Sequence, residues 1–161
     1  MFTKEVSITY EQITAFRAVA ELYLRSAEKE TNLYYCVDKM FKKLKKRHER
    51  YIDKQNAARR AQAMTDPKTK KLLISGGNYE YTSEGLNALD KALRELQYRK
   101  VTVKAEMVPE DMLPESLKFE FQAANGSIQV CSDYEVRSAF AGVVFEAPGQ
   151  QEDEEEEETD D

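Results

Sequence analysis

The sequence contains few of the side chains that most often perform chemistry. It has one histidine, His48, and two cysteines, Cys36 and Cys131, that lie far apart and show no metal-ligand spacing. A zinc site would need further ligands that a single histidine does not supply, so we expect reduced, buried thiols and no metal. A serine or cysteine nucleophile also needs a base and an acid that orients it. We therefore expect a protein that is not an enzyme and uses no cofactor.

Long apolar runs are also missing. No stretch approaches the roughly 20 apolar residues that span a bilayer. The opening residues, MFTKEVSITYEQ, contain no apolar segment of the kind found in secretory signals. We expect a soluble protein of a reducing compartment, without a membrane partner.

Charge is abundant and unevenly distributed. Of the last eleven residues, 151–161, nine are Asp or Glu. The whole chain has 24 basic and 30 acidic residues, so residues 1–150, with 24 basic and 21 acidic residues, carry a net charge of +3. A block of like charge repels itself and buries no apolar surface, which predicts a disordered acidic tail over residues 148–161. The tail either solubilises the protein or covers a basic surface of the same chain.

Helical periodicity predicts an N-terminal antiparallel helical hairpin over residues 9–63. Thr9 and Gln12 have the spacing of a capping box, so a helix should begin near Tyr10 and end near Ser26 or Glu28. A short linker should lead into one long helix over residues 31–63, packed against the first. Its apolar stripe is predicted to contain Val37, Met40, Phe41, Leu44, His48, Tyr51, Ile52 and Gln55. On that stripe, His48 is predicted to be a packed, neutral core histidine rather than a catalytic one.

Residues 70–147 are predicted to form a smaller α/β part of the same domain, which spans residues 1–147 and has an α+β fold. Gly-containing turns and alternating apolar residues predict short strands, and two Ser-initiated segments predict helices. The predicted elements are a hairpin of 72–75 with 79–82, a leucine-rich helix capped by Ser83, a strand over 100–108, a hairpin around Asn125-Gly126, and a short helix with a Ser132/Glu135 capping box.

Three segments carry a resemblance to a known family. They are ITAFRAVAELYL, VDKMFKKLKKRHERYIDKQ and LDKALRELQYRKVTVKAEMVPEDMLPESL, in this order. Together with the turns between them, over about residues 10–145, they resemble a family of small siphovirus-type tailed-bacteriophage proteins of unknown function. The acidic tail is not part of the family pattern. The resemblance implies a phage protein that is made in the host bacterial cytoplasm and acts in virion assembly. It also allows the protein to be a component of the virion, and it implies no active-site residues.

The long predicted helix carries the densest positive charge. Between Asp38 and Arg60 there are ten basic residues and three acidic ones. At 100° per residue, five of the basic residues project away from the apolar stripe, and we call them the basic ridge: Lys39, Lys42, Lys43, Lys46 and Arg50. A ridge of this kind either solvates the outer face of a helix, meets an acidic protein surface, or neutralises nucleic-acid phosphates.

These observations predict a non-enzymatic interaction or virion-assembly accessory factor. Its helical hairpin should bind another protein, from the phage or from the host. The alternative is a nucleic-acid-associated protein that uses the basic ridge and is masked by its own acidic tail. The sequence does not predict the oligomeric state.

Overall fold

The computed structural model describes residues 1–148, and within them the fold is α+β, as predicted. The predicted disordered tail over residues 148–161 lies outside the described residues, apart from Pro148. Within residues 1–148, no helix is both long enough and apolar enough to cross a membrane. In chain order the elements are β1 (Phe2–Thr9), α1 (Tyr10–Ser26), α2 (Asn32–Lys43), α3 (Lys45–Gln62), β2 (Ile74–Ser75), β3 (Asn78–Tyr79), α4 (Ser83–Gln97), β4 (Lys100–Met107), β5 (Phe119–Gln122), β6 (Ile128–Cys131) and α5 (Asp133–Phe140).

The chain begins with a strand, so the prediction that a helical hairpin forms the N-terminal element is wrong. β1 pairs antiparallel with the predicted strand β4 along its whole length, and Val6 lies opposite Val103. Val6 and Ile8 are buried. Lys4 occupies the same face and forms an ion pair with Glu146 at 3.0 Å, which interrupts the apolar alternation. Because the strand that completes this sheet lies far away in the sequence, the local pattern does not reveal β1.

α1 is the central helix of the fold and begins and ends where the sequence predicts. The hydroxyl of Thr9 accepts from the backbone N–H of Gln12 at 3.1 Å, while the Gln12 side chain accepts from the backbone N–H of Thr9 at 2.8 Å. These two bonds confirm the capping box. The rings of Phe16 and Tyr23 then pack against that of Phe140 in α5, with centroids 5.4 and 5.5 Å apart.

The predicted single helix over residues 31–63 is interrupted at Leu44, which corrects that prediction. α2 ends at Lys43 and α3 begins at Lys45, with φ −85° and ψ −4° at Leu44 between them. Leu44 is completely buried, as its place on the predicted stripe requires. Ile52, on the same predicted stripe, is 41% exposed. The change occurs because α2 packs against α1 and β4, whereas α3 packs mainly against α4.

Residues 52–95 form a thinly packed extension, which we call the arm; residues 1–51 and 96–148 are the body. Between residues 52 and 95 only Gly85 and Leu89 are buried. None of the arm residues belongs to the main buried cluster or to the apolar residues packed against it. At the end of the arm, β2 and β3 are joined by Gly76 and Gly77, whose positive φ values of 59° and 82° suit a tight hairpin turn. The structure therefore confirms the position of the first predicted hairpin, but its strands are only two residues long and shorter than the predicted 72–75 and 79–82.

The leucine-rich helix α4 differs from its prediction in two respects. Its N-cap is Thr82 and not Ser83, because the Thr82 hydroxyl accepts from the backbone N–H of Gly85 at 2.9 Å. Its apolar face is only partly covered, since Leu86 is 51% exposed. The periodicity is real, but α4 packs mainly against α3, which is itself largely polar.

The C-terminal part of the body contains the predicted hairpin and the predicted short helix. β5 and β6 form the hairpin signalled by Asn125-Gly126, with φ 85° at Gly126. The Ser132/Glu135 capping box starts α5. The carboxylate of Asp133 accepts from the backbone N–H of Leu117 at 2.7 Å, which ties α5 to the segment that precedes β5.

Candidate functional site

All five residues of the basic ridge are exposed, but they do not form one uniform surface. α2 and α3 together hold ten basic and three acidic residues, a net charge of +7 in a body and arm whose total is +3. The N-terminal members of the ridge, on α2, have partners within the protein. The C-terminal members, on α3, have no partner among residues 1–148. The break at Leu44 separates the two groups.

Two ridge lysines on α2 bind β4. The ammonium of Lys39 donates to Glu106 at 3.0 Å, and this hydrogen bond holds the pKa of the Glu106 carboxyl below its usual value while it raises the pKa of Lys39. The ammonium of Lys43 donates to the backbone carbonyl of Lys104 at 2.6 Å. These side chains attach α2 to the β1–β4 sheet. Lys39 and Lys43 were predicted to belong to a binding surface, and the structure gives both a second, structural role.

The remaining ridge residues face solvent. Lys42 pairs with Asp38 one turn earlier, at 3.0 Å, and its side chain is largely exposed. Lys46 and Arg50 form no hydrogen bond or ion pair with any residue in the described part of the chain, and the same holds for their exposed neighbour Lys45. We call Lys45, Lys46 and Arg50 the cation patch. Lys46 and Arg50 are the members of the predicted ridge whose charge no described residue neutralises, and Lys45 is their neighbour outside that ridge.

An exposed tyrosine accompanies the basic residues of α2. The ring of Tyr35 is half exposed, and the ammonium of Lys39 lies 5.8 Å from its centroid. Aromatic rings beside cations are typical of surfaces that stack nucleic-acid bases. The sequence analysis named only the charges, although the spacing of four residues between Tyr35 and Lys39 on the predicted helix was a detectable signal.

His48 is half-buried at the edge of the core and interacts with Arg17 on α1. A guanidinium nitrogen of Arg17 lies 3.2 Å from His48 Nδ1. Arginine only donates, so Nδ1 accepts and the neutral ring carries its proton on Nε2. Burial lowers the pKa of His48, and the nearby Arg17 charge lowers it further. His48 is thus a neutral histidine, as predicted, but it lies at a cleft and not in the centre of the core.

Arg17 is held by an aromatic ring as well as by the histidine. Its guanidinium carbon lies 4.2 Å from the centroid of Phe41, a favourable cation–π distance. Its Nε is buried and has no hydrogen-bond partner among the residues that the structure describes. The sequence analysis missed Arg17, although a charged residue between Ile13 and Ala20 on an otherwise apolar helix face is a detectable signal.

The cleft beside His48 lies between α1, α3 and the end of α4 and has a volume of about 310 Å³. Its lining residues are Glu11, Thr14, Ala15, His48, Tyr51, Gln55 and Gln97. The Thr14 hydroxyl donates to the carbonyl of Tyr10 at 3.0 Å. The cleft therefore offers amides, a carboxylate and a neutral imidazole, which suit hydrogen bonding to a polar group. Nowhere in residues 1–148 do three or more His, Cys, Asp or Glu side chains gather in a way that could hold a metal ion.

Comparisons of this chain with protein-family models, with curated proteins and with solved structures found no match. The resemblance to a tailed-bacteriophage family stays a prediction. What the chain does must therefore be argued from its own surfaces.

Proposed function

We propose that this chain is a non-enzymatic interaction protein that binds an acidic surface of another protein through α3. The observation that carries the proposal is the cation patch, whose three exposed side chains have no partner in residues 1–148. α3 holds seven basic and two acidic residues, a net charge of +5. Such an excess attracts acidic surfaces and speeds the encounter with them.

The partly exposed Ile52 adds an apolar contact beside Lys45. It lies seven residues after Lys45, which places both side chains on the same face of α3, whereas Lys46 and Arg50 project from another side of the helix. Interfaces combine apolar contacts with a surrounding polar rim, and Ile52 and Lys45 supply one contact of each kind. With the phage resemblance, the proposed setting is the host bacterial cytoplasm, and the proposed role is that of an accessory factor in virion assembly.

Nucleic acid is the second candidate partner. Clustered cations neutralise phosphates, and the exposed Tyr35 beside Lys39 supplies a ring on which a base could stack. The predicted masking of this surface by the acidic tail belongs to the same hypothesis, and the tail lies outside the described residues.

The test compares two charge reversals of equal size. The double variant Lys46→Glu/Arg50→Glu alters the cation patch, and Lys68→Glu/Lys71→Glu alters two exposed lysines of the arm. Each protein is used as bait in an extract of the host bacterium, with and without nuclease. We expect a partner protein that binds the wild type and the arm variant, resists nuclease, and is lost from the patch variant.

Other results would redirect the proposal. Bound material that disappears on nuclease treatment favours the nucleic-acid alternative. Equal binding by both variants removes the cation patch as the site. Circular dichroism serves as the control for folding, because all four substituted side chains are exposed.

A further inference from the structure

The outer edge of β6 is open. β5 and β6 form a sheet of two strands, and β5 packs against α1. In the described part of the chain, no other strand pairs with β6. An open edge presents backbone donors and acceptors that can pair with another chain.

The hydrogen-bond pattern of the hairpin shows which residues point outward. At the turn, the backbone N–H of Ala123 donates to the carbonyl of Ser127 at 2.8 Å. Bonded and non-bonded pairs alternate along an antiparallel ladder. The next pair, Gln122 with Ile128, is therefore non-bonded, and so is the pair of Glu120 with Val130. The backbone groups of residues 128 and 130 thus face away from β5, and they bond to no described residue.

The side chains at these two positions are apolar and exposed. Ile128 is 65% exposed and Val130 is 56% exposed, and their spacing of two places them on one face of the strand. Natural edge strands are commonly protected by Lys, Pro or a bulge. β6 has the sequence IQVC and contains neither a charge nor a proline.

We propose that the outer edge of β6 pairs with β6 of a second copy of this chain. The two strands would run antiparallel about a two-fold axis at Gln129, with Ile128 of each copy opposite Val130 of the other. Each such pair exchanges two backbone hydrogen bonds, so the four outward-facing residues are all satisfied. The four β-branched side chains then lie together on one face of a four-stranded sheet.

The alternative registers are worse. Pairing residue 128 with its own copy would place Val130 opposite Gly126, which has a positive φ in the turn. Pairing residue 130 with its own copy would place Ile128 opposite Ser132, the N-cap of α5. Only the register centred on Gln129 uses both outward-facing residues of each strand.

Charge does not oppose this pairing. β6 itself contains no charged residue, and Glu120 lies on β5, on the far side of β6 from the axis, so no like charges face each other across the contact. The contact is short, well below the area that stable interfaces bury, so the dimer should be weak and should depend on concentration.

The test measures mass and amide exchange of the full chain over a range of concentrations. We expect sedimentation equilibrium to show a mass that rises toward twice the monomer. In parallel, the Ile128 and Val130 amides should become protected from hydrogen exchange as concentration increases. The amides of Gln129 and Cys131 bond to β5 and should be protected at every concentration, which provides an internal control.

Three variants locate the contact. Val130→Lys adds a charge at the edge, and Val130→Pro removes an outward N–H that the β5–β6 ladder does not use; both should stay monomeric. Gln122→Lys places the same charge on the same face one strand away and should dimerise like the wild type. Three results overturn the proposal. The wild type stays monomeric at every concentration, the Val130→Lys variant still dimerises, or a dimer forms in which the amides of residues 128 and 130 exchange fast. Protection of these two amides that appears only when a different protein is added also overturns it.

Discussion

The body and the arm share the same helical periodicity but bury very different parts of it. In the body, the apolar faces of α1 and α2 meet each other, the β1–β4 sheet, β5 and α5, so that Phe16 and Met40 are completely buried. In the arm, α3 and α4 face mainly each other, and Leu89 is the only buried side chain larger than hydrogen between residues 52 and 95. An apolar stripe is therefore covered only where several elements converge.

The largest expected difference in stability comes from introducing Asp at two positions of the same predicted apolar stripe, one in the body and one in the arm. Leu44→Asp places an unpaired charge where no solvent reaches, which costs several kcal/mol, roughly the whole stability of a domain. Ile52 is partly exposed, so Ile52→Asp should change the free energy of unfolding by only about 0.5 kcal/mol. Soluble expression and thermal melting measure both. Equal stability of the two variants would contradict the division at Leu44.

A second pair of variants compares the centre of the body with α4. Phe140 contacts the rings of Phe16 and Tyr23, so Phe140→Ala should cost roughly 3–5 kcal/mol. Leu86→Ala removes a side chain that is half exposed and should cost well under about 1 kcal/mol. Urea denaturation gives both values. A large loss for Leu86→Ala would mean that another surface covers it in solution.

The arm depends on one close approach between its helices. A Cβ at Gly85 would lie 3.0 Å from the carbonyl oxygen of Gln62 and 3.1 Å from the Thr82 hydroxyl. Gly85→Ala should therefore cost about 1 kcal/mol, because crowding exceeds the gain in helix propensity. Limited proteolysis should show faster cleavage within the arm, with the body unaffected. Asn87→Ala, at an exposed position on the same helix, is the control, and increased stability of Gly85→Ala would refute the close approach.

The smallest effect concerns pH and the contact between α1 and α3. The pKa of His48 is lowered in the folded protein, so below its ordinary value of 6.5 the unfolded chain binds more protons than the folded one. Stability should fall as the pH decreases through 6.5 and should level off below the folded pKa. His48→Gln should remove this component while the carboxylates still titrate. Denaturation at a series of pH values tests it, and identical pH profiles of the two proteins would contradict the neutral His48–Arg17 pair.

Much of the local structure was predictable because its causes are local. The Thr9 and Ser132 capping boxes and the Gly76-Gly77 turn depend on residues within a few positions of one another. β1 was not predictable in the same way, because its pairing strand is distant and Lys4 breaks the alternation. The N-cap of α4 was misplaced by one residue, since Thr82 and Ser83 are both good caps and only the geometry selects one.

For the candidate site, the sequence determined the inventory of charges and their exposure. The basic ridge was predictable from spacing alone, because the residues of an amphipathic helix that lie opposite its apolar stripe face solvent. Which of these charges remain available was decided by the tertiary structure. Lys39 binds Glu106 and Lys43 binds the carbonyl of Lys104 because β4 packs beside α2. After Leu44, α3 departs from the sheet, so Lys46 and Arg50 have no partners in the described residues. Helical periodicity is set by the backbone and can be read locally, whereas a hydrogen-bond partner depends on which distant segment arrives within about 3 Å.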